Sequence, residues 1–225
     1  MVLQTPEMVM LDLDGTLVDS VPDMTYSLQQ TLARIGLPGH SEDKIRDWVG
    51  NGIEYLVKRG VRECLDDEPE QALVDEAFSI FLVIYGENTC TRSRCYPGVQ
   101  EGMDYLKSKQ IKLGCVTNKR EQFTESILKK LGLFDDFGIV IGGDTLPKRK
   151  PDPLPLLHAA THFNVAAGNA MMIGDSSKDV EAGRAAGFQV VCVTYGYNFG
   201  QDIRTAGPDA VVDSLAELPA LFQAI

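Results

Sequence analysis

The chain has 225 residues, of which 44% are hydrophobic and 24% charged, a balance that suits one large globular domain or a core with a smaller appendage and excludes a fibrous or low-complexity protein. A formal net charge of −11 and a pI near 4.7 would repel a polyanion or an anionic membrane face, so neither nucleic acid nor a membrane is expected as a partner. The five cysteines form no C-x-x-C pair, the first residues lack a signal-peptide pattern and no apolar run approaches membrane-span length, so a reduced, cytoplasmic setting is expected.

The first element is the strand-like run VMLDLD (9–14). From residue 20 to 90 the pattern changes to helical spacing. Val21, Met24, Leu28, Leu32 and Ile35 make one stripe, with Pro22 suited to a first turn and Gly36 to its end. A second helix starts at the candidate cap Ser41, and PEQALVDEAFSIFLVIYGEN makes a long apolar one. Apolar strand-length runs then return as IKLGCVT (111–117), FGIVIGG (137–143), AMMIGD (170–175), QVVCVTY (189–195) and the weaker DAVVD (209–213), separated by helical stretches. Strands apolar on both faces, alternating with helices, predict an α/β fold: a doubly wound parallel sheet core with an inserted all-helical cap domain. The expected boundaries are residues 1–19 and 91–225 for the core and 20–90 for the cap. An insertion there lies over the carboxyl ends of the strands, where open α/β sheets bind ligands.

Asp12 and Asp14 end the first strand and share one of its faces. Two carboxylates at a buried strand tip are costly unless a cation or proton lies between them, and magnesium suits a site of one or two carboxylates plus phosphate oxygens. Taken alone, D-x-D-G-T can also be a turn with Thr16 capping a helix. The pattern recurs at GDSSKD, where Asp175 ends another strand and Asp179 follows four residues later. Helix capping explains one of those carboxylates but not the repetition. Thr117 and Asn118 end a third strand, as a helix cap or as donors to a ligand, and Lys150 precedes two prolines. Together these place carboxylates, donors and a cation at one sheet edge, a set suited to phosphoryl transfer.

With these motifs in order, the chain resembles the haloacid dehalogenase-like phosphatase superfamily, from about residue 8 to 215. DLDGTLVDS matches the first motif along its length, and the insertion resembles that family's helical cap. The resemblance implies that Asp12 is the nucleophile, forming an aspartyl-phosphate, and Asp14 the general acid and base. It also implies magnesium held by Asp12, the Asp14 backbone carbonyl and Asp175, directly or through water. Thr117, Asn118 and Lys150 would hold the transferring oxygens, Asp179 would orient Lys150 or a metal-bound water, and Thr16 would buttress the loop. The cap stretch WVGNGIEYL, with Gly50 and Gly52, looks most like the specificity loop of the phosphoglycolate phosphatase branch.

The expected function is a magnesium-dependent phosphatase of a small phosphate monoester, foremost 2-phosphoglycolate, whose carboxylate would meet the glycine turn or a cap cation such as Lys44 or Arg46. The alternatives are a sugar-phosphate phosphatase, for instance for N-acetylmuramic acid 6-phosphate, or a phosphosugar mutase, and in another class a non-catalytic phosphate-binding protein. The second aspartate of D-x-D counts against halide chemistry. A Schiff-base lysine for phosphonate cleavage would be Lys44 or Lys58.

Overall fold

The structure is a computed structural model that describes residues 3–198 and 200–222. The expected core boundaries extend over residues 1–2, 199 and 223–225, which lie outside the described residues. The strands are β1 (Met8–Leu11), β2 (Val18–Asp19), β3 (Arg94–Cys95), β4 (Lys112–Val116), β5 (Ile139–Ile141), β6 (Ala170–Gly174), β7 (Gln189–Val193) and β8 (Ala210–Val212). The α-helices are α1 (Val21–Arg34), α2 (Glu42–Arg46), α3 (Ile53–Arg62), α4 (Gln71–Asn88), α5 (Val99–Ser108), α6 (Glu121–Lys130), α7 (Leu154–Phe163), α8 (Ser177–Ala186) and α9 (Leu218–Leu221).

Six strands pair in parallel in the order β5-β4-β1-β6-β7-β8. Alternation along each strand feeds two cores. Val9 and Leu11 of β1 and Met171 and Ile173 of β6 pack with α5 and α6, through Met103 and Ile127 among others. Their neighbours Met8, Met10, Ala170 and Met172 pack on the other face against Leu156 of α7 and Val180 of α8. This two-sided burial accounts for the near-continuous apolar runs, because a strand covered on both faces has no solvent side to mark with polar residues. The chain moves outward from β1 through β4 to β5, then returns to β6 on the other side. The crevice outside the carboxyl ends of β1, β4 and β6 is therefore the topological switch point where such sheets bind ligands.

Helices α1 to α4 carry a third core of their own, including Leu28, Trp48, Leu56 and Phe81, which Phe123 and Tyr197 join from outside the insertion. The two connections run side by side as the antiparallel pair β2–β3. One carboxylate clamps them. Asp23, fully buried in the first turn of α1, accepts from the backbone N–H groups of Thr91 (3.0 Å), Arg92 (2.9 Å) and Ser93 (2.9 Å) and from the Ser93 hydroxyl (2.5 Å).

Candidate active site

Asp12, Asp14, Thr117, Asn118, Lys150 and Asp175 all line one pocket, with Val49, Gly50 and Gly52 and the start of α3 on its cap side. Strand β1 ends at Leu11, so the two aspartates lie just beyond it rather than within it, while Asp12 stays in register through its N–H to the Ile173 carbonyl (2.9 Å). The chain then doubles back, the Leu17 and Val18 N–H groups donating to the Leu13 carbonyl. Gly15 makes that turn possible: its φ is +85°, and a Cβ there would stand 2.3 Å from Asp175 Oδ2.

Lys150, buried at 3% exposure, gives its ammonium to Asp12 (3.0 Å), Asp179 (2.6 Å) and the Val116 carbonyl (2.8 Å). Three donors thus meet three acceptors. Burial opposes its charge, but Asp12 and Asp179 outweigh it and push the pKa up. Asp179 uses its other oxygen in a capping box at the start of α8, accepting from the Ser176 N–H (3.0 Å) and hydroxyl (2.7 Å). The helix cap is therefore Ser176, not Asp175 as the start of a helix would have it. Thr117 and Asn118 do not cap α6 either, whose N-cap position is Arg120. Thr117 accepts from the Lys119 N–H (3.2 Å), and the Asn118 amide nitrogen donates to the carbonyls of Lys150 (3.0 Å) and Gly50 (3.4 Å).

Asp175 is buried and accepts from the Thr16 hydroxyl (2.9 Å) and the Tyr197 N–H (2.7 Å). Among the described residues no cationic side chain pairs with it. Burial pushes its pKa well up, with Asp12 and Asp179 adding to the effect. Burial likewise raises Asp12 to about 7, with Lys150 opposing and Asp179 and Asp14 adding. Oxygens of Asp12, Asp175 and Asp179 lie within 4.8 Å of one another. Buried carboxylates crowded in this way favour a divalent cation between them. The donor set, oxygen only, suits magnesium, and among the three Asp179 has its charge offset by Lys150 at 2.6 Å while Asp175 has no cationic partner among the described residues.

Several participants were not singled out in the sequence. Lys119 ion-pairs with both oxygens of Asp14 (3.0 and 2.8 Å) while lying 5.2 Å from the Tyr85 ring centre, and the Ser20 hydroxyl also donates to Asp14 (2.5 Å). Tyr197 lines the pocket, donates its hydroxyl to Asp19 (2.6 Å) and lies beneath the Arg46 guanidinium, 5.3 Å from the ring centre. Lys119 sits directly behind the T-N pair, which was a readable signal; the others depend on long-range contacts. The glycine turn closes on the core, where Lys178 of α8 donates to the Gly50 carbonyl (3.2 Å) and to the Asn51 side chain.

The cap cations fall elsewhere. Lys44 pairs with Glu63 (3.1 Å) and Arg46 with Asp19 (3.2 Å) and Glu42 (3.2 Å), while Lys58 pairs with Glu68 (3.4 Å). None of the three lines the pocket. The Schiff-base and carboxylate-binding roles considered for them thus have no geometry behind them.

A family model for haloacid dehalogenase-like hydrolases matches residues 9–193. The chain is 54% identical over 220 residues to a phosphoglycolate phosphatase of Nitrosococcus oceani, covering 98% of each. It is 46% identical over 209 residues to that of Thiobacillus denitrificans, covering 93% of this chain and 92% of the relative. A crystal structure of a predicted phosphoglycolate phosphatase from Haemophilus somnus superposes with a TM-score of 0.93 at 34% identity, over 98% of this chain and all of that one. With the match spanning residues 9–193, which include the aspartates that build the pocket, the chain belongs to the haloacid dehalogenase-like hydrolases.

Proposed function

We propose that this protein is a magnesium-dependent phosphatase that hydrolyses 2-phosphoglycolate to glycolate and phosphate through an aspartyl-phosphate on Asp12. The observation that carries the chemistry is the convergence of Asp12, Asp14, Lys150 and the cation-deficient Asp175 in one pocket. The substrate rests on the full-length relatives that bear the name phosphoglycolate phosphatase.

Asp12 supplies the attacking oxygen, held in place by its bonds to Lys150 and to the Leu13 N–H (2.7 Å). As its bond to phosphorus forms and the ester P–O bond breaks, Asp14 gives a proton to the departing alkoxide. Asp14 then takes a proton from a water that attacks the same phosphorus, freeing phosphate and Asp12. Lys150 and the Thr117 hydroxyl balance charge on the transferring oxygens. The Asn118 amide nitrogen fastens the Lys150 and Gly50 backbones at the pocket wall. Magnesium, held by Asp12, Asp175 and the Asp14 backbone carbonyl, would neutralise the repulsion between a carboxylate and a phosphate dianion. Thr16 and Tyr197 orient Asp175.

The division that goes with this reading is a catalytic core of residues 1–19 and 91–225 and a cap of residues 20–90, with Gly50 and Gly52 presenting the substrate loop. Among the described residues no helix is long and apolar enough to cross a membrane. The setting that goes with this reading is cytoplasmic and the partner a small phosphate ester. The test is a comparison of kcat/KM with magnesium for 2-phosphoglycolate, 2-hydroxyethyl phosphate, hexose phosphates and N-acetylmuramic acid 6-phosphate. Preference for 2-phosphoglycolate is expected. Preference for a sugar phosphate rejects the substrate.

A further inference from the structure

We propose that Tyr197 ties the position of the cap to the metal ligand Asp175, so that magnesium binding and cap closure favour one another; this rests on the magnesium reading above. Tyr197 belongs to the core, four residues beyond β7, yet it is buried at 4% exposure in the hydrophobic core of the cap. Its two ends do different things. The backbone N–H donates to Asp175 Oδ2 (2.7 Å), while the hydroxyl donates to Asp19 (2.6 Å) and accepts from the Ser20 N–H (3.1 Å). Asp19 and Ser20 are the residues through which the chain enters α1, and both guanidinium nitrogens of Arg46 grip Asp19 from the cap side (3.2 and 3.4 Å). Arg46 also lies over the Tyr197 ring. One residue thus joins Arg46 and Asp19 to Asp175.

The backbone that carries this link is pressed against the carboxylate. A Cβ on Gly196 would stand 2.1 Å from the Asp175 Cβ and 2.4 Å from its Oδ2, so this approach is open only to glycine. Tyr195 donates its hydroxyl to the Thr16 carbonyl (2.8 Å), and the Thr16 hydroxyl donates to Asp175 Oδ1 (2.9 Å). Each carboxylate oxygen is therefore held by a group that residues 195–197 fix, and a shift of that segment moves Asp175 with it. A cap that swings on its β2–β3 connections takes Arg46 away from Tyr197, and the segment loses its outer anchor. With the cap closed, the same contacts hold the carboxylate in one place before the cation arrives, which removes part of the ordering cost of binding. Such coupling is reciprocal: whatever closure adds to magnesium affinity, magnesium adds to closure.

The experiment is calorimetric titration with magnesium alone of wild type, Tyr197→Phe, Arg46→Met and the double variant, with circular dichroism to establish that each is folded. Tyr197→Phe keeps the ring and the N–H to Asp175 and removes only the hydroxyl. Arg46→Met tests by sign. Arg46 does not line the pocket, and losing a positive charge near a cation site strengthens cation binding by Coulomb's law alone, whereas losing the latch weakens it. Each single variant should bind magnesium roughly three- to tenfold more weakly, the worth of one hydrogen bond. The double variant should lose less than the product of the two, because both break one chain of contacts. Amide exchange in residues 41–49, measured by mass spectrometry, should slow when magnesium is added to wild type, and less so in Tyr197→Phe. Unchanged or tighter binding in Arg46→Met would overturn the proposal, and so would unchanged binding in Tyr197→Phe, losses that multiply in full, or exchange that magnesium leaves unaltered in wild type. Each of these leaves the magnesium reading intact. A wild type that binds no magnesium overturns that reading and this proposal with it.

Discussion

Replacing Lys119 by Met tests how Asp14 is held. The ammonium and Asp14 are paired at 3.0 and 2.8 Å with side-chain exposures of 1% and 12%. Breaking a buried pair by removing one partner costs about 3 to 5 kcal/mol, since a buried charge is left behind. Asp14 keeps some solvent contact and the Ser20 hydroxyl, so the lower end, about 3 kcal/mol, is expected. Met matches the length of the aliphatic stem and still packs on Tyr85, which limits any cavity term. At about 2 to 4 °C per kcal/mol for a chain of this size, Tm should fall by roughly 6 to 12 °C. Thermal unfolding of Lys119→Met, Asp14→Asn and the double variant forms the assay. The two losses should couple, the double variant losing at least about 1 kcal/mol less than their sum. Turnover of an alkyl ester should also drop more than that of p-nitrophenyl phosphate, whose leaving group needs little help from an acid. Strict additivity, within about 0.5 kcal/mol, would refute the pairing.

Calcium should inhibit and magnesium support turnover, because calcium takes more oxygen ligands at longer range and can tie up both oxygens of Asp12; equal rates with the two ions would contradict the assigned ligands. The pH dependence of the metal-free protein follows from Asp12, whose carboxyl is raised from 3.8 to about 7. A raised carboxyl means that the unfolded chain releases its proton first, so stability should fall as pH rises from about 4 to about 7. Asp175 acts in the same direction. Urea unfolding at pH 4.5 and 7.5 should show this loss, Asp12→Asn should reduce it, and magnesium at pH 7.5 should restore stability.

The parts of the molecule that were legible are those whose signal is local. Two-sided apolar strands mark themselves, and so do carboxylates at their ends, because an apolar run that stops in D-L-D or G-D has few other reasons to do so. The helical spacing of residues 21 to 35 likewise marked α1. Asp23 was illegible for a different reason: in the first turn of a helix an acid is ordinary, and only the fold brings residues 91 to 93 to it. Tyr197 follows a strand by a few residues with no motif around it, yet links Asp175, Asp19 and Arg46. Lys44 and Arg46 show the reverse failure. Their charge suggested a substrate contact, but on short helix α2 their partners are Glu63 and Asp19, close at hand. Lys178, from the core, reaches the pocket that they do not.

The central claim is that Asp12 carries the phosphoryl group. Its most direct test is rapid acid quenching of the enzyme during turnover of radiolabelled 2-phosphoglycolate, followed by mapping of the label by peptide mass spectrometry. The account predicts one alkali-labile phosphate on the peptide containing Asp12, formed no more slowly than kcat and absent from Asp12→Asn. Label on another side chain, or undiminished turnover by folded Asp12→Asn, would contradict it.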